Sequence, residues 1–191
     1  PLPGWTLPGV MSIGAAQVMT NVHRVHVGTK GIVVGINVLS AAIARELILA
    51  GTELHSMVLP VKNTVNREHG DPVKVMDELA GIAHMAPSRF LRWGGRLAQA
   101  SWVRRLAVQL YPKSGMKVWG IPVQIRKAVT RINGREQVES VTICDVTSQG
   151  ELVPDSEKIV EVDFVCIAGG LYPLAELAAV AGCPFRYLEE L

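Results

Sequence analysis

The sequence predicts an α/β protein built on a parallel sheet, with a β-hairpin or meander added and a helical pair inserted. Three observations predict it. Residues 31–59 read as strand, tight turn, helix and strand. Residues 71–110 carry large apolar side chains at spacings near the helical period. From Gly120 onward, short β-branched runs alternate with turn signals. Composition sets the frame. The chain has 191 residues, 49% of them apolar and 19% charged, which suits a packed core and excludes a disordered chain. A formal charge of +2 lacks the strong basic bias of a nucleic-acid binder. The longest apolar stretch, Gly31 to Ala50, is interrupted by Arg45 and Glu46, so no membrane span is predicted.

The elements follow in order. Pro1, Pro3 and Pro8 with Gly4 and Gly9 make the opening extended or turning. Ser12 is placed to cap a short helix running to Asn21. Gly31–Val34 is a buried strand, Gly35-Ile36-Asn37 a turn, and Val38–Ala50 a helix stopped by Gly51. Leu54–Leu59 is a second strand, stopped by Pro60; together these make a βαβ unit with parallel strands. Asp71 caps the next helix with Pro72 at its first position. Met85-Ala86-Pro87 breaks that helix, and a second one from Ser88 carries Phe90, Trp93, Leu97, Trp102, Leu106 and Leu110, with a kink at Gly94-Gly95. Val123 and Ile125 alternate with polar residues. Val129 and Ile132 lead into Asn133-Gly134, a hairpin signal. Val138–Val146 returns as a strand, Ser148-Gln149-Gly150 turns, and Ile159–Ile167 is the last strand. Gly169-Gly170 ends it, and Pro173–Ala181 is a short helix.

The βαβ turn is the first candidate site, because a Rossmann-like dinucleotide-binding domain uses this place. Its first glycine makes the turn, its second lets the backbone approach a pyrophosphate, and its third lets helix and strand pack closely. The helix start then offers N–H groups to the phosphates. Here the six positions are Gly35, Ile36, Asn37, Val38, Leu39 and Ser40. Only the first is glycine. Asn37 tolerates a left-handed backbone but sets a side chain where a pyrophosphate approaches, whereas Ser40 is small enough for close packing. The acidic residue that would hold a ribose hydroxyl is replaced by Val58 and Leu59. Two readings therefore stand: a dinucleotide site at Gly35–Ser40, or the same fold kept as a scaffold and subunit interface.

Other groups read as structural. His23, His26, His55, His69 and His84 are scattered, and no metal site is expected. Cys144, Cys166 and Cys183 form no C-x-x-C pair, which argues against a disulfide framework and a dithiol centre. A reduced, cytoplasmic setting is expected. Cys166 lies in an apolar strand and reads as core. Arg89, Arg92 and Arg96 share one helix face, with Arg104 and Arg105 beyond, and read as a solvated face. Some large side chains of the middle helices are expected to lie at a contact with other subunits or a second copy. The opening Pro1 to Trp5 is unlike the start of a natural domain, and the chain is expected to be a fragment.

Two strings resemble a known family. Leu2-Pro3-Gly4-Trp5-Thr6-Leu7-Pro8-Gly9-Val10-Met11, followed by Gly14-Ala15-Ala16-Gln17, is similar to a segment of FAD- and NAD(P)-dependent oxidoreductases with two dinucleotide-binding domains. These are relatives of the pyridine nucleotide-disulphide oxidoreductases. The match is closest to the alpha subunits of amine and amino-acid dehydrogenases: sarcosine oxidase, opine oxidase, hydrogen cyanide synthase and dye-linked proline dehydrogenase. Asp163 to Gly170, with Pro173 and Leu177 behind, resembles the strand and glycine turn by which such a chain leaves its inserted NAD(P) domain, and Ala179 to Tyr187 is also similar. The resemblance implies that residues 1–24 end a FAD-domain segment, 25–168 form the NAD(P)-type domain, and 169–191 begin the return to the FAD domain. It implies FAD in the full-length protein, bound outside this stretch. It also implies NAD or NADP at Gly35–Ser40 with Gly169 and Gly170, and a small amine or amino-acid substrate. The family's FAD fingerprint would lie upstream of Pro1, so this stretch alone would be inactive, and no catalytic residue is named within it.

Overall fold

The computed structural model describes residues 2–64, 68–81, 101–169 and 175–186. Among these, β1 (Val10–Ser12), α1 (Ile13–Asn21), β2 (Lys30–Val34), α2 (Val38–Leu49), β3 (Glu53–Pro60) and α3 (Pro72–Gly81) lead to α4 (Ser101–Gln109). Then come β4 (Met116–Val118), β5 (Ile121–Asn133), β6 (Ser140–Asp145), β7 (Lys158–Glu161), β8 (Phe164–Ile167) and α5 (Glu176–Val180). One mixed sheet runs β1-β8-β2-β3-β5-β6-β7, with β4 paired to β5 beside that path. The pairings β1–β8, β8–β2, β2–β3 and β3–β5 are parallel. Those of β5 with β4 and β6, and of β6 with β7, are antiparallel. The predicted α/β architecture, parallel at its centre with a meander on one flank, is the architecture found.

The β2–α2–β3 unit forms where the periodicity places it. In β2, Val33 faces one side of the sheet and Ile32 and Val34 the other, all three buried. Helix α2 buries Ser40, Ile43, Ala44 and Leu47, the i, i+3, i+4, i+7 stripe of an amphipathic helix. Each fully buried Ile or Leu here contributes about 1.5–3 kcal/mol. These residues join Ile13 and Ala16 of α1, Val75 of α3, Val108 of α4 and Phe164 and Cys166 of β8 in one core. The helices thus cover one face of the sheet. On the other face, Ile32, Val34, Val58 and Val165 pack with Val129, Ile132, Val141 and Ile143 of the meander and with Leu2 and Leu7 of the opening stretch.

Local chemistry sets the helix starts. Ser12 Oγ accepts from Ala15 N at 3.1 Å, and Asp71 Oδ1 accepts from Val73 N at 2.9 Å, with Pro72 at the first helical position. Both caps are as predicted.

Several expectations are refined or corrected. The opening is turning and then extended, as expected, and its end at Val10–Ser12 adds a short strand, not named from the sequence, that pairs in parallel with β8. The second strand ends at Pro60 as expected, with Pro60 itself its last residue, opposite Val129. The hairpin signalled at Asn133-Gly134 forms, with β5 antiparallel to β6 and Asn133 opposite Ser140, but its turn is not a two-residue one. Neither residue has a positive φ, as that turn requires, and a six-residue loop joins β5 to β6. The tight hairpin lies instead at Trp119-Gly120, with φ 52° and 87°, between β4 and β5. Finally, Ile159–Ile167 is two strands. The Asp163 carboxylate accepts from Thr29 N and Lys30 N, each at 2.9 Å, and this clamp turns the chain from the antiparallel β7 into the parallel β8. Arg89, Phe90, Arg92, Trp93, Arg96 and Leu97 lie outside the described residues, as do the side chains of Trp102 and Arg104. Leu106 and Leu110 are exposed.

Candidate functional site: a crevice at the strand ends

A crevice of about 790 Å³ opens at the C-terminal ends of β1, β8 and β2. In an open α/β sheet, the crevice outside the strand ends is where ligands bind. One wall comes from the start of α1, with Met11, Ser12, Ile13 and Gly14, and from Trp5. The other comes from the start of α2, with Asn37, Val38 and Leu39. Ile167, Ala168 and Gly169 form the floor, and His69 closes one side.

The turn after β2 departs from the glycine-rich pattern in a specific way. Gly35 takes φ 113°, and a Cβ there would overlap the carbonyl oxygen of Ala168. The first glycine of the pattern is thus required by both its backbone and its close approach to the end of β8. Asn37 is not left-handed, as the sequence suggested, but extended, with φ −152° and ψ 176°. It is the N-cap of α2. Its Oδ1 accepts from Ser40 N at 2.8 Å, and Ser40 Oγ accepts from Asn37 N at 2.9 Å. The Ser40 hydroxyl also lies 3.1 Å from Gly35 O and 2.9 Å from Asn37 O. This reciprocal pair is a capping box in which serine replaces the usual glutamate or glutamine.

That box bears directly on a dinucleotide. A pyrophosphate is held by unpaired N–H groups at a helix start. From Gly35 to Ser40, Gly35 N donates to Val58 O at 2.8 Å, and the N–H groups of Asn37 and Ser40 are taken by the box. Val38 and Leu39, at the first two helical positions, have N–H groups with no intrahelical acceptor. Asn37 also sets a carbonyl oxygen, itself an acceptor, at the place a phosphate oxygen would take. As they stand, these residues do not fit a bound pyrophosphate.

The surroundings add no compensating charge. Among the described residues lining the crevice there is no Lys, Arg, Asp or Glu. Val58 and Leu59, at the place of a ribose-binding acid, are fully buried. Lys62, just past β3, is held by Asp71 Oδ2 at 2.9 Å and Gln149 O at 2.6 Å.

Of the residues predicted for a cofactor, Asn37, Val38, Leu39 and Gly169 line the crevice. Gly35, Ile36 and Ser40 are buried behind it, and Gly170 lies outside the described residues. Sequence reasoning missed Trp5, Met11, Ile13 and His69 as wall residues. The first three sit in segments read for turns, a helix start and a resemblance but not as part of a site, and an isolated histidine carries no signal of where a loop will place it. Cys166 is in the core, and burial pushes its thiol up to about 12, so it stays protonated and is no nucleophile. Among the described residues, no cluster of three metal-ligating side chains occurs, and no helix is long and apolar enough to cross a membrane.

No family model matches the sequence, and no curated protein matches it. Solved structures do. A ferredoxin reductase from Rhodopseudomonas palustris is 16% identical with a TM-score of 0.47, over 97% of this chain and 35% of that one. A NAD-dependent persulfide reductase from A. fulgidus is 17% identical with a TM-score of 0.48, over 95% and 25%. The 6-hydroxypseudooxynicotine amine oxidase of Pseudomonas geniculata N1 is 16% identical with a TM-score of 0.49, over 95% and 20%. The chain therefore spans about a third or less of the length of these proteins, and the activities in their descriptions belong to them.

Proposed function

We propose that this chain is the NAD(P)-type domain of a flavin-dependent oxidoreductase. The whole protein would move electrons between a small amine or amino-acid-like substrate, FAD and an acceptor. One observation carries the reading. The two strings that resemble such enzymes, separated by most of the chain, come together as β1 with α1 and as β8. They pair in register, Val10 with Val165 and Met11 with Cys166, and frame one crevice with the start of α2. FAD would supply the redox chemistry, and the protein would bind, orient and shield it. Its site is proposed to lie outside this stretch, and NAD or NADP would enter the crevice only with the Asn37 cap opened, since the start of α2 as it stands does not fit a pyrophosphate.

In the layout proposed, residues 1–24 and 169–191 belong to a FAD domain and 25–168 are inserted. Exposed apolar side chains support it: Trp5, Val18 and Val22 in the first flank, Leu177, Val180 and Phe185 in the second. A FAD domain or another subunit would cover them.

A second reading, a scaffold and subunit interface without a bound dinucleotide, is favoured by the closed start of α2 and the uncharged crevice. The test is to purify the whole protein, record its visible spectrum and add amines and amino acids. Near-stoichiometric flavin, bleached by one of these substrates, supports the first reading. A protein that holds no flavin even after reconstitution with FAD leaves only the second.

A further inference from the structure

We infer that Asn37 sets dinucleotide affinity at this crevice, its side chain latched across the start of α2 against pyrophosphate by the bond that Oδ1 accepts from Ser40 N. The inference rests on the reading that the crevice is of dinucleotide type, and it assigns the obstacle to one residue.

The other departures from the glycine pattern do not obstruct a phosphate. The first glycine is present as Gly35, in the left-handed backbone the turn requires. At the third position Ser40 is fully buried, and its hydroxyl lies 3.1 Å from Gly35 O. Helix and strand therefore approach closely with the serine in place. Val58 and Leu59 remove a ribose contact but stand at the end of β3, away from the phosphate position.

Asn37 is different. The free N–H groups of Val38 and Leu39 are the ones a pyrophosphate in the crevice would use. Asn37 lines the crevice beside them and is held there by Oδ1 accepting from Ser40 N at 2.8 Å. A pyrophosphate needs the space of that oxygen, whose partial charge repels it. Entry of the ligand therefore requires the Asn37 side chain to rotate away and its bond from Ser40 N to open, whereas the bond from Asn37 N to Ser40 Oγ uses the backbone and can stay. Loss of an N-cap of this kind costs about a factor of five in equilibrium terms, and the repulsion adds to it. Glycine at position 37 would remove the obstacle without strain. The backbone there is extended, and glycine is an acceptable N-cap.

The experiment uses the whole protein, as wild type, Asn37→Gly and Asn37→Asp. Each is checked for an unchanged thermal transition and titrated calorimetrically with ADP, NADH, NADPH and adenosine. Adenosine is the probe without phosphate. Asn37→Gly is expected to tighten ADP, NADH and NADPH about five- to tenfold and to leave adenosine unchanged. Asn37→Asp keeps a cap oxygen and adds a charge, and should weaken the phosphate-bearing probes. Equal ADP affinity in wild type and Asn37→Gly overturns the latch and leaves the crevice reading intact. A gain for adenosine as large as that for ADP overturns it too, because the side chain then blocks space and not phosphate. No binding of any probe to any form overturns both the crevice reading and the latch.

Discussion

Leu47 and Leu177 are both leucines on helices of this chain, and they meet opposite fates. Leu47, in α2, is fully buried; Leu177, in α5, is 86% exposed. Val33 in β2 and Val180 in α5 repeat the contrast, at 0% and 86%. The central unit and the flanks are built from the same residue types. What separates them is cover: α2 packs on the sheet with α1 beside it, whereas Leu177 and Val180 are exposed. Apolar residues thus stabilise this chain where the sheet covers them, in the centre and at Leu2, Leu7, Ile13 and Ala16 of the first flank, and not at Leu177 and Val180, which are exposed.

Substitutions sharpen or break this contrast, and the largest effect belongs to the centre. Phe164 is fully buried, with its ring lying across Gly31, where a Cβ would overlap it. Phe164→Ala should cost about 3–5 kcal/mol in chemical denaturation; a cost below about 1 kcal/mol would mean the centre is no better packed than the flanks. Next is Gly35→Ala, which combines a backbone at φ 113° with overlap on Ala168. A loss of about 2–4 kcal/mol is expected, and a neutral result would show that the turn relaxes freely. At the rim of the crevice, Asn37→Ala removes one half of the capping box and should lower stability by about 1 kcal/mol, read as a shift in the denaturation midpoint.

A smaller effect depends on pH. Burial, then the charges of Lys30 and Lys127, holds the half-buried His55 imidazole below its ordinary 6.5. The folded chain thus prefers the neutral ring, and this contribution is complete above pH 6.5. As pH falls below 6.5, the unfolded chain binds a proton that the folded chain resists, so stability declines. His55→Gln should flatten that acid limb; an unchanged slope would assign it to other groups. The smallest effect is in the flank. Leu177→Ala should change the stability of this chain by less than about 0.5 kcal/mol, and a loss above about 1 kcal/mol would show α5 seated on the core.

Where order in space follows order in sequence, the fold was legible. The run Gly31–Val34, the stripe Ile43, Ala44, Leu47 and the caps at Ser12 and Asp71 are all local patterns. Strand β1 was not legible, because three residues with no buried member carry no alternation to detect. The break at Val162-Asp163 was hidden because Glu161 and Asp163 alternate with apolar neighbours as in a single strand, and the clamp on Thr29 and Lys30 marks it only in the folded chain. The crevice followed the same rule. Its α2 side was named in advance, from Gly35 to Ser40, whereas its α1 side and His69 join it through tertiary packing alone. The identity of Asn37 was plain, but its role was not. Whether an asparagine turns left-handed or caps the helix depends on which backbone N–H groups lie within its reach.

Strand β8 lies between β1 and β2 although it is made last of the three, and this sets an order of folding. The Asp163 clamp closes on Lys30 across 133 residues, so the middle of the sheet must wait for nearly the whole domain to be synthesised. At about 5–20 residues per second that wait is roughly 7–27 s. Until then β1 and β2 face each other across an open slot, each with an unpaired edge, and the groove above Gly31 is unfilled apolar surface. Such edges are templates for wrong pairing. The newborn chain is therefore most exposed to aggregation at the place where the finished protein is most tightly packed.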